Sequence, residues 1–562
     1  MANPVLDAKN ECRALLHAAL AACIGKGLLP EGEFPEYVVE IPNDAAHGDF
    51  AANAAMVSAR AFRKAPKMIA DALVSEMALD GSSFARVEVA GPGFINFTLA
   101  PAWFARAVKS VLEEGENYGR TDFGAGKKVL VEFVSANPTG PMHIGNARGG
   151  ALGDGIASVL DWAGYKADRE FYVNDAGNQI NKFALSLDLR YQQIYKEGVE
   201  MPEDSYHGQD IIDHANNFAA IHGDKYMHAS EEERRQALVA YALPLNIEGL
   251  ERDLAKYRIR YDRWFRESTL HADGSVMKVV ELLKEKGHTY EQEGAVWFKA
   301  TDFGADKDFV LVRSNGVPTY VVPDIAYHYG KLVTRGYDKA IDVLGADHHG
   351  YVPRLKAALQ ALGVDPNRLD VVLMQMVRLI RDGEVVKASK RSGKAITLVT
   401  LLDEVPIDAA RFYFNLREAN SQFDFDLDLA VEQSSQNPVY YVQYAHARIC
   451  SILKKMDAEK VVMREASEAE LCALNTPEEL ALIRHIARFP SEIIEAAKAY
   501  DPAKMTRYAL DLATLFHKFY TACKVFGEQE SLTQARLSLC VAAKTVLENV
   551  LSILKITAPE TM

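Results

Sequence analysis

Between about residues 113 and 430, short apolar runs alternate with helical stretches, and this alternation constrains the fold more than any other feature of the chain. The runs 128–134, 170–173, 310–312, 320–322, 340–344 and 370–376 read as strands separated by helix. Strands joined by helical crossovers form a parallel sheet covered on both faces, so a doubly wound α/β domain is expected. Ligands of such sheets collect beyond the carboxyl ends of the strands. His143, Asp347 and a lysine-rich loop fall there.

The segment 131–154, VEFVSANPTGPMHIGNARGGALGD, supplies the first functional landmark. Its β-branched run ends at Ser135, Ala136, Asn137, Pro138 and Thr139, so the strand stops at a turn and a helix starts near Ile144. Gly145, Ala147, Gly149, Gly150, Ala151 and Gly153 let the first helical turns approach their neighbours closely, and the free N–H groups of the helix start suit an anion. His143 is placed to donate a hydrogen bond to a phosphate oxygen. Taken alone, a His-x-Gly turn is more often a packing turn than a catalytic one.

The second landmark is 386–394, VKASKRSGK, which follows an apolar run and a turn at Asp382-Gly383. Lys387 and Lys390 flank Ala388-Ser389. A solvated basic hairpin explains such a cluster about as often as function does. In combination, the His turn in one half and the Lys-x-x-Lys loop in the other can clamp one triphosphate from two sides.

Around this unit the chain is long enough for several cores. At 562 residues, roughly three or four domains of ~150 residues are expected. Residues 1–112 read as mixed α+β, with a basic stretch at Arg60, Arg63, Lys64 and Lys67. Residues 175–270 are helical and polar, with a capping box at Ser230 and Glu233, and read as an insertion into the α/β unit. Residues 431–562 are helical throughout, with Pro438, Pro477 and Pro502 at helix starts, so an all-α bundle is expected.

The 77 acidic residues outnumber the 63 Lys and Arg, giving a net charge of −14, so any nucleic-acid contact has to be local. The six cysteines show no C-x-x-C and no histidine at zinc spacing, and are expected to be reduced packing thiols with no structural zinc. No apolar stretch at the N-terminus reaches the ~20 residues of a membrane span. A cytoplasmic protein without a membrane partner is expected.

With both landmarks in place, the chain resembles the class I aminoacyl-tRNA synthetases: His143-Ile144-Gly145-Asn146 resembles their HIGH signature, and Lys387-Ala388-Ser389-Lys390-Arg391 their KMSKS loop. The wider resemblance is to the bacterial-type arginyl-tRNA synthetase family. It rests on SANPTGP at 135–141, GADHHGY at 345–351 and NPVYYVQYAHAR at 437–448. Asn146 departs from the last His of the first signature, and Ala388 and Arg391 from the Met and Ser of the second. Lys394 stands where many relatives carry Asn, and Tyr351-Val352 occupy a stretch where relatives often carry a substrate-contacting Gln.

The resemblance implies a Rossmann-like catalytic domain at 113–430, an N-terminal domain that touches the tRNA elbow, and a C-terminal anticodon-binding domain. The reaction it implies is activation of L-arginine by ATP with Mg²⁺, then transfer to the arginine-accepting tRNA, with activation dependent on bound tRNA. The attacking carboxylate is already an anion, so alignment and charge stabilisation are needed rather than a general base. His143, Lys387 and Lys390 are the expected catalytic residues. Pro141, His143, Gly145, Asn146, Gly345, Asp347, His349 and Ser389 are the expected ATP site, Asp347 serving the ribose or else capping the next helix.

A guanidinium requires acceptors that match its fork. Glu132, Tyr320 and Asp324 are the implied readers, the last two four residues apart at a strand end, with Ser135 and Asn137 on the backbone end of the substrate. The plainer reading of Glu132 is an edge-strand carboxylate paired with an arginine. Tyr440, Tyr444 and Arg448 are the implied tRNA contacts, although each tyrosine taken singly reads first as core. A monomer is implied. The alternatives are a synthetase for another amino acid, a free-standing nucleotidyltransferase and a non-catalytic tRNA-binding relative.

Overall fold

The computed structural model describes residues 1–386 and 396–562, so the expected roles of Lys387, Ser389 and Lys390 lie outside the described residues. At its centre is a five-stranded sheet, parallel throughout, in the order Leu369–Met374, Lys339–Gly345, Lys128–Glu132, Lys166–Val173, Arg263–Arg266. Chain order runs outward from Lys128–Glu132 in one direction, then returns to its other side at Lys339–Gly345. The boundary between these two strands is the topological switch point, where the loops leave in opposite directions and open a crevice.

Two expected strands are placed differently. Tyr320 caps the helix Val321–Tyr329, so 320–322 is a helix start and not a strand. The reason is Pro323: it has no N–H for a ladder but is tolerated in a first helical turn, and Val321, Val322, Ile325 and Ala326 are buried with helical spacing. Phe309–Val312 is a strand, but of a separate antiparallel three-stranded sheet with Thr289–Gln292 and Ala295–Phe298. The edge strand Arg263–Arg266 gave too short an apolar signal to be read as a strand, because arginines flank its only two apolar residues, Trp264 and Phe265.

The stretch between the second and third strands of the chain's order through this sheet is helical, as expected. It contains Asn178–Tyr195, Gln209–His222 and Glu231–Lys256, and Ser230 Oγ accepts the Glu233 N–H at 3.2 Å to start the last of these. The hairpin Val377–Arg381 with Glu384–Val385 turns at Asp382 and Gly383, both with positive φ (51° and 76°), the geometry of a tight two-residue hairpin.

At the N-terminus, helix Pro4–Gly25 packs with an antiparallel sheet ordered Val39–Glu40, Phe50–Ala52, Phe94–Leu99, Phe84–Ala90. At the C-terminus, Pro438–Lys454, Pro477–Ala499, Ala503–Ala522 and Glu530–Ile553 form a bundle, with Pro502 standing at the cap rather than inside the third. Arg411, fully buried, fastens the bundle to the catalytic unit. It donates to the Leu554 carbonyl at 2.8 Å and pairs at 2.5 Å with Asp154 of helix Ile144–Trp162. All six cysteines are free thiols, five of them buried. No helix among the described residues is long and apolar enough to cross a membrane.

Candidate active site

The site begins where the strand Lys128–Glu132 ends. Val134 and Ser135 both adopt left-handed backbone conformations (φ 67° and 41°), a costly arrangement for a β-branched residue and one that tends to persist at functional sites. The bend aims Ser135 back at the sheet. Its Oγ donates to Glu132 Oε1 at 2.9 Å and accepts the Tyr172 N–H at 3.1 Å.

His143 is the N-cap of helix Ile144–Trp162, exposed, with its N–H donating to Asn146 Oδ1 at 3.1 Å. Asn146 therefore closes the helix start, which accounts for a short amide at the signature's last position. The glycines divide by role. A Cβ on Gly153 would overlap the Phe133 ring, and one on Gly150 would lie 2.7 Å from Ile259 Cδ1, whereas a Cβ on Gly145 would meet nothing within 4 Å. Gly153 and Gly150 serve packing, and Gly145 leaves open space at the helix start.

A cleft of about 960 Å³ opens here, and Ser135, Asn137, Pro141, His143 and Asn146 line it together. Tyr206, Gln209 and Asp210 from the helical insertion and Ile396, Thr397 and Thr400 from beyond the second signature complete its wall, and sequence reasoning missed all six. The two halves of the chain are tied at this point. His143 pairs with Thr397 in an isolated β-bridge, Ile144 N–H donates to the Ile396 carbonyl at 3.1 Å, and Leu398 N–H to the Met142 carbonyl at 2.9 Å.

Across the switch point, Gly345 ends its strand and Asp347 and His349 lie exposed on the 3₁₀ turn Ala346–Gly350. Asp347 does not cap the following helix, whose N-cap is Tyr351. Strand pairing sets Asp342 opposite Glu132, so this turn and the His143 loop leave neighbouring strands at the same end of the sheet.

Below the crevice lies a buried charge network. Glu132 is 8% exposed and is on the central strand, not an edge, and its partner is Lys331 rather than an arginine, with Nζ 2.5 Å from Oε2. Lys331 also reaches Asp342 Oδ1 at 2.9 Å, and His328 Nε2 lies 2.6 Å from Asp342 Oδ2. Burial opposes the charge on Lys331, yet Asp342 and Glu132 outweigh it and push its pKa up. For Asp342, burial is overcome by Lys331 and His328, and its pKa falls, while Glu132 is raised by burial. Glu132, His328 and Asp342 converge closely enough to ligate a metal, but the Lys331 ammonium occupies the centre of the cluster. The sequence signal was His328 and Lys331, three residues apart and one turn beyond Asp324 on the same helix and its continuation.

The expected readers Tyr320 and Asp324 lie one helical turn apart. Tyr320 is 76% exposed, whereas Asp324 is largely enclosed, accepts a 2.5 Å hydrogen bond from Tyr351 and has its pKa raised by burial. On the helix Pro438–Lys454, Tyr440 and Tyr444 stack with ring centroids 6.3 Å apart and planes 6° off parallel. Arg448 donates to the Tyr444 hydroxyl at 3.0 Å and lies over its ring. These three form a partly exposed ladder rather than core.

A doubly wound sheet, a His-capped helix start at its switch point and a cleft closed by the second half of the chain define the catalytic fold of class I aminoacyl-tRNA synthetases. Residues 107–451 match the family model described as tRNA synthetases class I (R), catalytic domain, residues 10–99 the arginyl tRNA synthetase N terminal domain, and residues 442–562 the DALR anticodon binding domain. The chain is 54% identical over 562 residues, 100% of both chains, to an arginine–tRNA ligase of Caldanaerobacter subterraneus subsp. tengcongensis. It is 50% identical over 564 residues, again 100% of both, to one of Acetivibrio thermocellus. In fold it is similar to the arginyl-tRNA synthetase of Thermus thermophilus (TM-score 0.75, 24% identity, 98% of this chain and 100% of that one). This chain belongs to the arginyl-tRNA synthetase family.

Proposed function

We propose that this chain is an arginine–tRNA ligase, converting ATP, L-arginine and the arginine-accepting tRNA into arginyl-tRNA, AMP and pyrophosphate. The observation that carries this reading is the full-length match to arginine–tRNA ligases, together with a cleft built on the His143 helix start. ATP lies along that cleft. His143 and the helix-start N–H groups hold its phosphates, and the adenosine reaches Gly345, Asp347 and His349 across the switch point. Lys387 and Lys390 neutralise the departing pyrophosphate, with Ser389 between them.

Among the described residues lining the cleft, Asp210 is the one carboxylate, which fits Mg²⁺ that is held mainly by the phosphates and supplies charge neutralisation there. No structural zinc is needed on this reading. Arginine lies toward Glu132, Tyr320 and Asp324, with Ser135 and Asn137 at its backbone end. Glu132 keeps acceptor capacity beyond its contacts to Lys331 and Ser135, because a carboxylate offers about four lone-pair sites.

The Tyr440, Tyr444 and Arg448 ladder offers stacking faces and a cation to splayed anticodon bases. Arg411 joins that bundle to the helix that starts at His143, which supports activation that waits for bound tRNA. The domains are read as 1–112, 113–430 and 431–562, in a cytoplasmic monomer. Pyrophosphate exchange with purified protein tests the reading. Exchange that needs arginine and rises strongly when tRNA is added supports it, and strong exchange from ATP and arginine alone contradicts the tRNA dependence.

A further inference from the structure

Asp324 is not a free carboxylate. Its Oδ2 accepts the Tyr351 hydroxyl at 2.5 Å, and Tyr351 is the cap that joins the turn Ala346–Gly350 to the helix Val352–Ala361. One side chain therefore ties the turn assigned to the nucleotide to the carboxylate assigned to the guanidinium.

We propose that Tyr351 is a positioning residue for arginine selection: its hydroxyl fixes one oxygen of Asp324 and the plane of the carboxylate, leaving Oδ1 to face the substrate's guanidinium. The proposal rests on the reading of Asp324 as a guanidinium acceptor. A planar fork is recognised by a carboxylate held in one plane, whereas a point ammonium such as that of lysine is served equally by a rotating one. Fixing the plane therefore favours arginine over lysine before any second contact is made.

The surroundings make this hydrogen bond matter. Around Asp324 stand His328 and Lys331 from its own helix and the continuation of that helix, Asp342 from the strand Lys339–Gly345, Glu267 from the start of the helix Glu267–Ala272 after the edge strand, and Tyr172. Burial raises the Asp324 pKa, and the Tyr351 hydrogen bond, His328 and Lys331 act against that rise, while Asp342 adds to it. Without the hydroxyl, the carboxyl takes up a proton at a higher pH and loses its fixed plane.

The test compares wild type, Tyr351→Phe and Asp324→Asn as full-length enzymes charging the arginine-accepting tRNA, with KM for arginine and for ATP measured across pH. Tyr351→Phe is expected to raise the arginine KM about ten-fold, the value of one hydrogen bond to a charged group. It should leave the ATP KM and kcat nearly unchanged, shift the acid limb of kcat/KM for arginine to higher pH and narrow the preference over lysine. An unchanged arginine KM and acid limb in Tyr351→Phe, beside an impaired Asp324→Asn, overturns the role of Tyr351 alone. An unimpaired Asp324→Asn overturns the reading of Asp324 itself.

Discussion

The Nζ of Lys331 lies 2.5 Å from Oε2 of Glu132, and the lysine is fully shielded from solvent. This pair puts a built-in cation beneath the crevice and fixes the carboxylate at the end of the central strand. Removing the ammonium leaves Glu132 and Asp342 buried without their shared partner. Lys331→Met should therefore cost about 3–5 kcal/mol of stability, the usual penalty for stranding a buried charge. Denaturant unfolding reads this directly, and a loss below about 1 kcal/mol would mean that the network is solvated rather than sealed.

The glycines of the signature helix separate packing from binding. Gly153→Ala drives a methyl into the Phe133 ring and should destabilise the protein by about 1–3 kcal/mol. Gly145→Ala meets no protein atom and should hold or slightly raise stability, since alanine is the better helix former. Its effect should fall on the KM for ATP. Equal thermal shifts in the two variants would contradict this division.

The aromatic ladder should act on tRNA alone. Base stacking on an exposed aromatic is worth about 1–3 kcal/mol, so Tyr444→Ala should raise the KM for tRNA about ten-fold or more. The KM values for ATP and arginine should not move. A variant that charges tRNA with wild-type KM would return Tyr444 to a structural role.

Acid should weaken the C-terminal bundle through His485. Its ring stacks on Tyr508 at 4.2 Å, Nε2 lies 3.0 Å from the Tyr508 carbonyl oxygen, and burial lowers its pKa from 6.5 to about 4. The unfolded chain thus takes up a proton that the folded chain refuses. The sign is loss of stability as pH falls from 6.5 toward 4, by up to about 3 kcal/mol. Unfolding of wild type and His485→Gln across that window tests this: the variant should show the shallower acid slope, and parallel slopes would rule out His485 as the source.

What could be read from the chain alone depended on how local the signal was. The His143 turn, its small-residue helix and the Asp382-Gly383 hairpin turn are written in consecutive residues, and all three are present in the structure. The helix at Val321 was misread because the three residues 320–322 are too short to reveal their period, and Pro323 was the overlooked clue. The edge strand Arg263–Arg266 carries an apolar run of only two residues, Trp264 and Phe265. Lys331 and Tyr351 act through partners 199 and 27 residues away, and such pairings exist only once the sheet is assembled. Asn146 and Gly145 sit side by side, yet only in the folded helix start does one close it while the other leaves space beside it.

The choice of arginine is read out by incubating the purified protein with ATP, Mg²⁺ and unfractionated tRNA and each amino acid in labelled form. Arginine should be charged, and Asp324→Ala should abolish or strongly weaken that charging through the arginine KM rather than the ATP KM. Charging with a different amino acid, or equal effects of Asp324→Ala on both KM values, would contradict it.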